Sequence, residues 1–225
     1  MRYSNTYTPD CWYREVCENY TEGCLKGCIR YAKMRYMMEN SNIPTAKRVP
    51  IKLTPSKVDI EAFRKLSTIK DDIYNFVYDG KSLYISSKIV GNGKTSFSLK
   101  ILMHYFETCL EDEFDVRGVF VHVPTFLIKL KDFNNIDEQF EELKRLLIGV
   151  DLVVWDDIAS TDMSAYDISQ LTSYIDARVM NELSNIYTGN ITSREQMQEV
   201  LGARLTSRIW NSKTEIVEFF GGERR

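Results

Sequence analysis

One run, SLYISSKIVGNGKTS over residues 82–96, sets the order of elements in this chain. SLYISS (82–87) has the short, apolar, β-branched character of a strand. Glycines follow, and from about Thr95 to Leu110 the pattern is helical. Strand, glycine loop, helix is the setting of a phosphate-binding loop, G-x-x-x-x-G-K-[ST]. Gly93, Lys94 and Thr95 match its second half. The first glycine would fall at position 88, which is Lys88, and Gly91 supplies backbone freedom further along. Backbone N–H groups of Gly91, Asn92, Gly93 and Ser96 at a helix N-terminus form an anion site. Lys94 would reach β- and γ-phosphates, and the Thr95 hydroxyl would bind Mg²⁺. A plain Gly-Asn-Gly turn gives the same letters, but the strand before it and the helix after it favour the phosphate reading.

Downstream, strands and helices alternate. RGVFVHV (117–123), DLVVWDD (151–157), NIYTGN (185–190) and TEIVEFF (214–220) are expected strands. Helical runs cover 136–148, 165–183 and 193–210. Alternation with apolar strands predicts an α/β fold on a parallel five-stranded sheet. LVVWDDI (152–158) is an apolar strand ending in paired acids, the form of a Walker B element. Asp156 would hold Mg²⁺ and Asp157 would orient water; a strand end capped by two solvated acids is the plainer account. Asn190 is a polar residue at the tip of the next strand. Arg204 and Arg208 share one helix face at i, i+4. His104 and His122 lie in apolar runs and read as structural.

The 225 residues carry a net charge of −3, split as +3 over residues 1–80 and −6 over 81–225. That excludes a generally basic nucleic-acid coat, though not a local basic groove. No run of roughly 18 apolar residues suggests a membrane span, and the first 17 residues lack the apolar core of a secretory signal. A cytoplasmic protein is expected. Four of five cysteines, Cys11, Cys17, Cys24 and Cys28, fall within the first 28 residues, and Cys109 reads as core. Clustered thiols in a reducing compartment suit a tetrahedral zinc site, with free thiols or an iron–sulfur cluster as alternatives. A helix is expected over Ile29–Glu39, and three of the five prolines fall in 40–57. This gives a small, mainly helical Cys-rich domain at 1–45, a linker at 46–57 and a nucleotide-binding domain at 58–225. Residues 58–79 read as one amphipathic helix. Tyr3, Tyr7, Trp12, Tyr13 and Tyr20 could stack bases but suit a thin metal-site core better. Lys129 and Lys131 read as a solvated face.

In order, GNGKTS, LVVWDDIAS, SNIYTGN, LGARLTSRIW and a terminal GGERR, with CIRYAKMRYMMENSNIP upstream, resemble the DnaC/DnaI-type replicative helicase loaders. The likeness covers residues 11–225 and is strongest to short, bacteriophage-borne forms. It implies an AAA+ P-loop ATPase with a minimal lid or none, using ATP/ADP and Mg²⁺. The implied partners are a hexameric DnaB-family helicase, single-stranded DNA, and further copies through the AAA+ domains. By resemblance, Lys94 and Thr95 match Walker A, Asp156 and Asp157 Walker B, and Asn190 sensor 1. Arg208 matches the arginine finger, and Arg225, or Arg224 beside it, sensor 2. The zinc-binding helicase-interaction domain of DnaI-type loaders implies a zinc site at Cys11, Cys17, Cys24 and Cys28. Two other readings stand beside the loader. One is an IstB-like transposition ATPase, disfavoured by the cysteine module. The other is a helicase-binding module that does not hydrolyse ATP, motivated by Lys88 and the Asp-Asp pair.

Overall fold

The computed structural model describes residues 28–48, 51–110, 115–132, 137–159 and 162–222. Helix α1 (Ile29–Asn40) is followed by α2 (Ile60–Asp71), α3 (Ile73–Tyr78), β1 (Ser82–Ser86), α4 (Lys94–Thr108) and β2 (Gly118–His122). Then come α5 (Val123–Leu130), α6 (Glu138–Gly149), β3 (Leu152–Asp156), α7 (Ala165–Met180), β4 (Ser184–Gly189), α8 (Arg194–Ile209) and β5 (Thr214–Glu218). The sheet order is β2-β3-β4-β1-β5, and every pairing is parallel. The expected five-stranded parallel α/β sheet is present. No described helix is long and apolar enough to cross a membrane.

Side chains alternate faces along a strand, and here both faces are apolar. Leu83, Ile85, Phe120, Leu152, Val154, Ile186 and Val217 pack under α1–α4. Tyr84, Val119, Val121, Val153, Trp155 and Tyr187 pack under α5–α8. A parallel sheet covered on both sides needs these uninterrupted apolar runs.

Three features differ from the sequence reading. The helix expected over 58–79 breaks at Asp72, whose backbone leaves helical geometry (φ −111°, ψ 27°). Asp72 Oδ1 accepts from the Asn75 side chain at 2.6 Å, the local bonding by which Asp favours helix ends over interiors. Helix α5 was not expected; it follows β2 with no intervening turn, and Pro124 opens it. Helix α1, assigned to the Cys-rich module, buries Met34, Met37 and Met38 in the same core as Leu66 and Phe106. Ile51 and Leu53 of the expected linker pack against that core too.

The end of the sheet where β3 and β4 begin is tied by Arg178, which is fully buried. Its guanidinium donates to Asn185 Oδ1 (2.7 Å) and to the carbonyls of Leu147 (2.9 Å), Val150 (2.8 Å), Asp151 (3.2 Å) and Ser184 (2.6 Å). Burial pulls its pKa down to about 10, so it stays charged at neutral pH. Arg178→Met would leave several buried carbonyls without a donor, each worth about 1–3 kcal/mol. Urea denaturation should show at least about 3 kcal/mol of lost stability. A variant as stable as the parent would contradict this account of the base of the sheet.

Candidate functional site

The glycine loop joins β1 to α4. Gly91 (φ 77°) and Gly93 (φ 99°) both lie in the left-handed region that a side chain disfavours. The loop is braced from within. The Ser87 hydroxyl accepts from Ile89 N (3.1 Å) and from the side-chain amide of the buried Asn92. Lys94 opens α4, is buried, and donates through Nζ to Ile89 O at 3.1 Å. Burial lowers its pKa, while Asp157 and Asp156 act in the opposite direction. Leu53 approaches Gly93 from outside. Lys88, at the position of the missing glycine, is exposed.

The sheet order places β4 between β1 and β3, so the tip of β4 touches both the loop and the paired acids. Ser87 N donates to Gly189 O at 3.2 Å. Thr188 Oγ1 donates to Asp156 Oδ1 at 2.7 Å and accepts from Asp157 N at 2.9 Å. Asp156 is buried; burial raises its pKa, and hydrogen bonds from Thr188 and Thr95 oppose the rise. Asp157 adopts φ +64°, a sparsely populated conformation that persists only where surroundings hold it. The carbonyl of Ile191 accepts from the Tyr84 hydroxyl at 2.8 Å. A Cβ at Gly189 would lie 2.7 Å from that hydroxyl, so only glycine fits between Thr188 and Asn190. Asn190 Oδ1 is buried without a hydrogen-bond partner.

Lys94, Thr95, Asp156, Asp157 and Asn190 therefore converge where β1, β3 and β4 end, the edge at which open α/β sheets bind ligands. The residues present fit a nucleotide with Mg²⁺. Glycine backbone and the start of a 15-residue helix face one side. The Thr95 hydroxyl and Asp156 carboxylate, already bonded to each other, are hard oxygen donors. The orphaned Asn190 amide oxygen marks a polar position open to a partner.

Two functional candidates were missed or misread from sequence. Thr188 stood in plain view as a hydroxyl within an apolar strand. His122, read as structural with no catalytic partner, instead places Nε2 4.0 Å from Asp157 Oδ2. Arg204 and Arg208 do share a face. Both pair with Asp176 of α7, Arg204 at 2.9 Å and Arg208 at 2.5 Å, and hold its carboxyl below the usual range. Their segment starts after a break at Gly202 (φ 78°, ψ 161°) inside α8. Lys129 pairs with Asp137 and Lys131 with Asp167. Cys28 is exposed and Cys109 buried, as expected for a core thiol. No group of three or more metal-ligating side chains occurs among the described residues. Cys11, Cys17, Cys24, Arg224, Arg225 and the N-terminal aromatics lie outside the described residues.

Thr188→Val keeps the shape and removes both bonds at the paired acids. It should destabilise the protein by about 1–3 kcal/mol in urea denaturation, with Thr188→Ser recovering most of the loss. Equal stability of the Val and Ser variants would contradict the bridging role.

No family model matches the chain, and no curated protein does. Solved structures do. The DnaC helicase loader aligns with TM-score 0.60 and 20% identity over 83% of this chain and 99% of that one. DnaI aligns with TM-score 0.59 and 20% identity over 77% and 88%. Domain III of the replication initiation protein DnaA from Thermotoga maritima aligns with TM-score 0.56 and 16% identity over 84% and 68%. The chain shares the α/β fold of these proteins, a five-stranded parallel sheet with a glycine loop between its first strand and the helix that follows.

Proposed function

We propose that this chain is an ATP-dependent loader that binds a DnaB-family hexameric replicative helicase and helps place it on single-stranded DNA. The observation that carries the reading is the convergence of Lys94, Thr95, Asp156, Asp157 and Asn190 at one sheet edge, on a fold similar to DnaC and DnaI.

That convergence supports the following division of labour. N–H groups of the 91–96 loop and the Lys94 ammonium bind the phosphates of ATP. Burial makes that ammonium costly to leave unpaired, which favours capture of an anion. Thr95 and Asp156 would hold Mg²⁺, which would supply positive charge to offset that developing on the transferred phosphoryl oxygens. Asp157 orients the attacking water, and its strained backbone fixes the carboxylate. The Asn190 amide contacts the same water or the γ-phosphate. Arg208 acts on the nucleotide of a neighbouring copy and must exchange Asp176 for that phosphate. Arg225 is assigned to the same nucleotide as sensor 2. Cys11, Cys17, Cys24 and Cys28 are assigned to zinc in the helicase-binding module. A soluble, cytoplasmic protein of bacterial or phage-infected cells fits this role.

Lys94→Ala should abolish ATP binding, whereas Asp157→Asn should keep binding and lose about 10²-fold or more in turnover. Mixing Lys94→Ala with Arg208→Ala, each inactive alone, should restore part of the ATPase rate, since an intact loop then meets an intact arginine. Unchanged ATP affinity in Lys94→Ala would overturn the loop assignment. A mixture no more active than its components would overturn the role of Arg208 in trans.

A further inference from the structure

Lys88, which interrupts the glycine pattern of the phosphate loop, takes no part in the site described above. It is exposed, and no described residue pairs with it. Ile89 and Val90 beside it are exposed too, Val90 to 71%. A cation followed by two apolar side chains in water forms the tip of the loop between β1 and α4, and contiguous exposed apolar side chains mark interaction sites. The tip is tied to the phosphate lysine. Lys94 Nζ donates to Ile89 O at 3.1 Å, and Ile89 N donates to Ser87 Oγ at 3.1 Å. A phosphate that draws Lys94 away therefore loosens the tip.

A cleft of about 620 Å³ between α7 and α8 has the complementary character. Ile168, Ala177, Leu201 and Leu205 give it apolar walls, and Asp176 and Arg204 supply charge. Gly202 lines it at the break in α8, with φ 78° and ψ 161°, a region open almost only to glycine. Asp176 holds its two arginines unequally. Arg204 Nη2 donates to Oδ2 at 2.9 Å. Arg208 Nε stands 2.5 Å from Oδ1 but without hydrogen-bond alignment. Oδ1 is therefore the half of the carboxylate open to exchange, and a lysine ammonium, with freely rotating donors, can take it.

We propose that the Lys88–Val90 tip of one copy seats in the α7–α8 cleft of a second copy, where Lys88 takes Asp176 Oδ1 from Arg208. Arg208 is then released toward the copy that supplied the tip, whose phosphates would lie on the same loop. Arg204 stays on Oδ2. Replacing one cation by another leaves Asp176 paired, which the departure of Arg208 alone would not do. Tip and cleft are different surfaces, so the contact is heterologous and repeats head to tail. A glycine at position 88 could not make this exchange. The proposal rests on Arg208 acting in trans, as described above.

The test uses the full chain with ATP and Mg²⁺ and reads mass by sedimentation velocity over a concentration series. Lys88→Glu and Asp176→Lys each set like charges face to face between identical copies. Each alone should raise the concentration for half-maximal association about 10-fold or more. In an equimolar mixture, the acid introduced at 88 meets the lysine introduced at 176, and the other contact is the parental pair. Association should return to within about 3-fold of the parent, and the ATPase rate should rise with it. Mixing repairs neither a misfolded chain nor a lowered ATP affinity, so recovery reports the contact itself. Val90→Ser changes no charge and should also weaken association; with Lys88→Glu it decides the matter even if Asp176→Lys does not fold. A parent that stays monomeric throughout, parental association in Lys88→Glu, or a mixture no better than its parts would overturn the contact. If association follows the predicted pattern while the parent hydrolyses no ATP, the contact stands and the ATPase reading fails. If Arg208 acts in trans but Lys88→Glu associates like the parent, that reading stands and the contact fails.

Discussion

A carboxylate taken out of water must be hydrogen-bonded, meet a cation, or give up its charge, and Asp156 is such a carboxylate. It sits buried at the end of β3, with burial pushing its pKa up and the hydroxyls of Thr188 and Thr95 pushing it back. Thr188 comes from the neighbouring strand β4 and Thr95 from the first turn of α4. The rest of the site is arranged around that pairing. Thr188 also takes the Asp157 N–H, which holds the next acid in a sparsely populated left-handed backbone conformation. Gly189 leaves room for the Tyr84 hydroxyl, and Asn190 emerges with an unmet acceptor between the loop and the acids.

The two ends of the sheet serve different ends. Where the strands begin, Arg178 gathers carbonyls from α6, the turn between α6 and β3, and β4, and satisfies them with a single cation. Where they finish, polar groups are only partly satisfied and the backbone is strained, as expected where a ligand completes the arrangement. The face carrying Arg204 and Arg208 is a third region. Asp176 pairs with both arginines within the chain, so the action on another copy proposed for Arg208 would require an exchange of partners.

Much of this was legible from residues. The five strands could be read because both faces are apolar, and the loop because glycines with Lys94 followed a strand. The convergence of Asp156, Asp157 and Asn190 followed from their positions at strand ends. What escaped was non-local or lacked a turn signal. Helix α5 begins at Val123 directly after β2, with no glycine or polar cluster to mark the change. The apolar spacing of Phe63, Leu66, Ile73 and Phe76 runs across Asp72 without a gap, so the break between α2 and α3 was hidden by a pattern that both helices obey. His122 looked inert because its partner is 35 positions away in sequence, across a strand pairing. The seating of Ser41 and Asn42 on β2 is likewise a contact across 78 positions for Asn42, which no local pattern announces.

On the proposed reading, a client helicase is gripped upstream of α1 and ATP binds at the strand tips. Size-exclusion chromatography with mass readout, run on the full chain mixed with a DnaB-family helicase with and without ATP, tests that directly. The account predicts a stable complex of defined stoichiometry whose amount or mass depends on ATP. Separate elution of the two proteins in both conditions would contradict it.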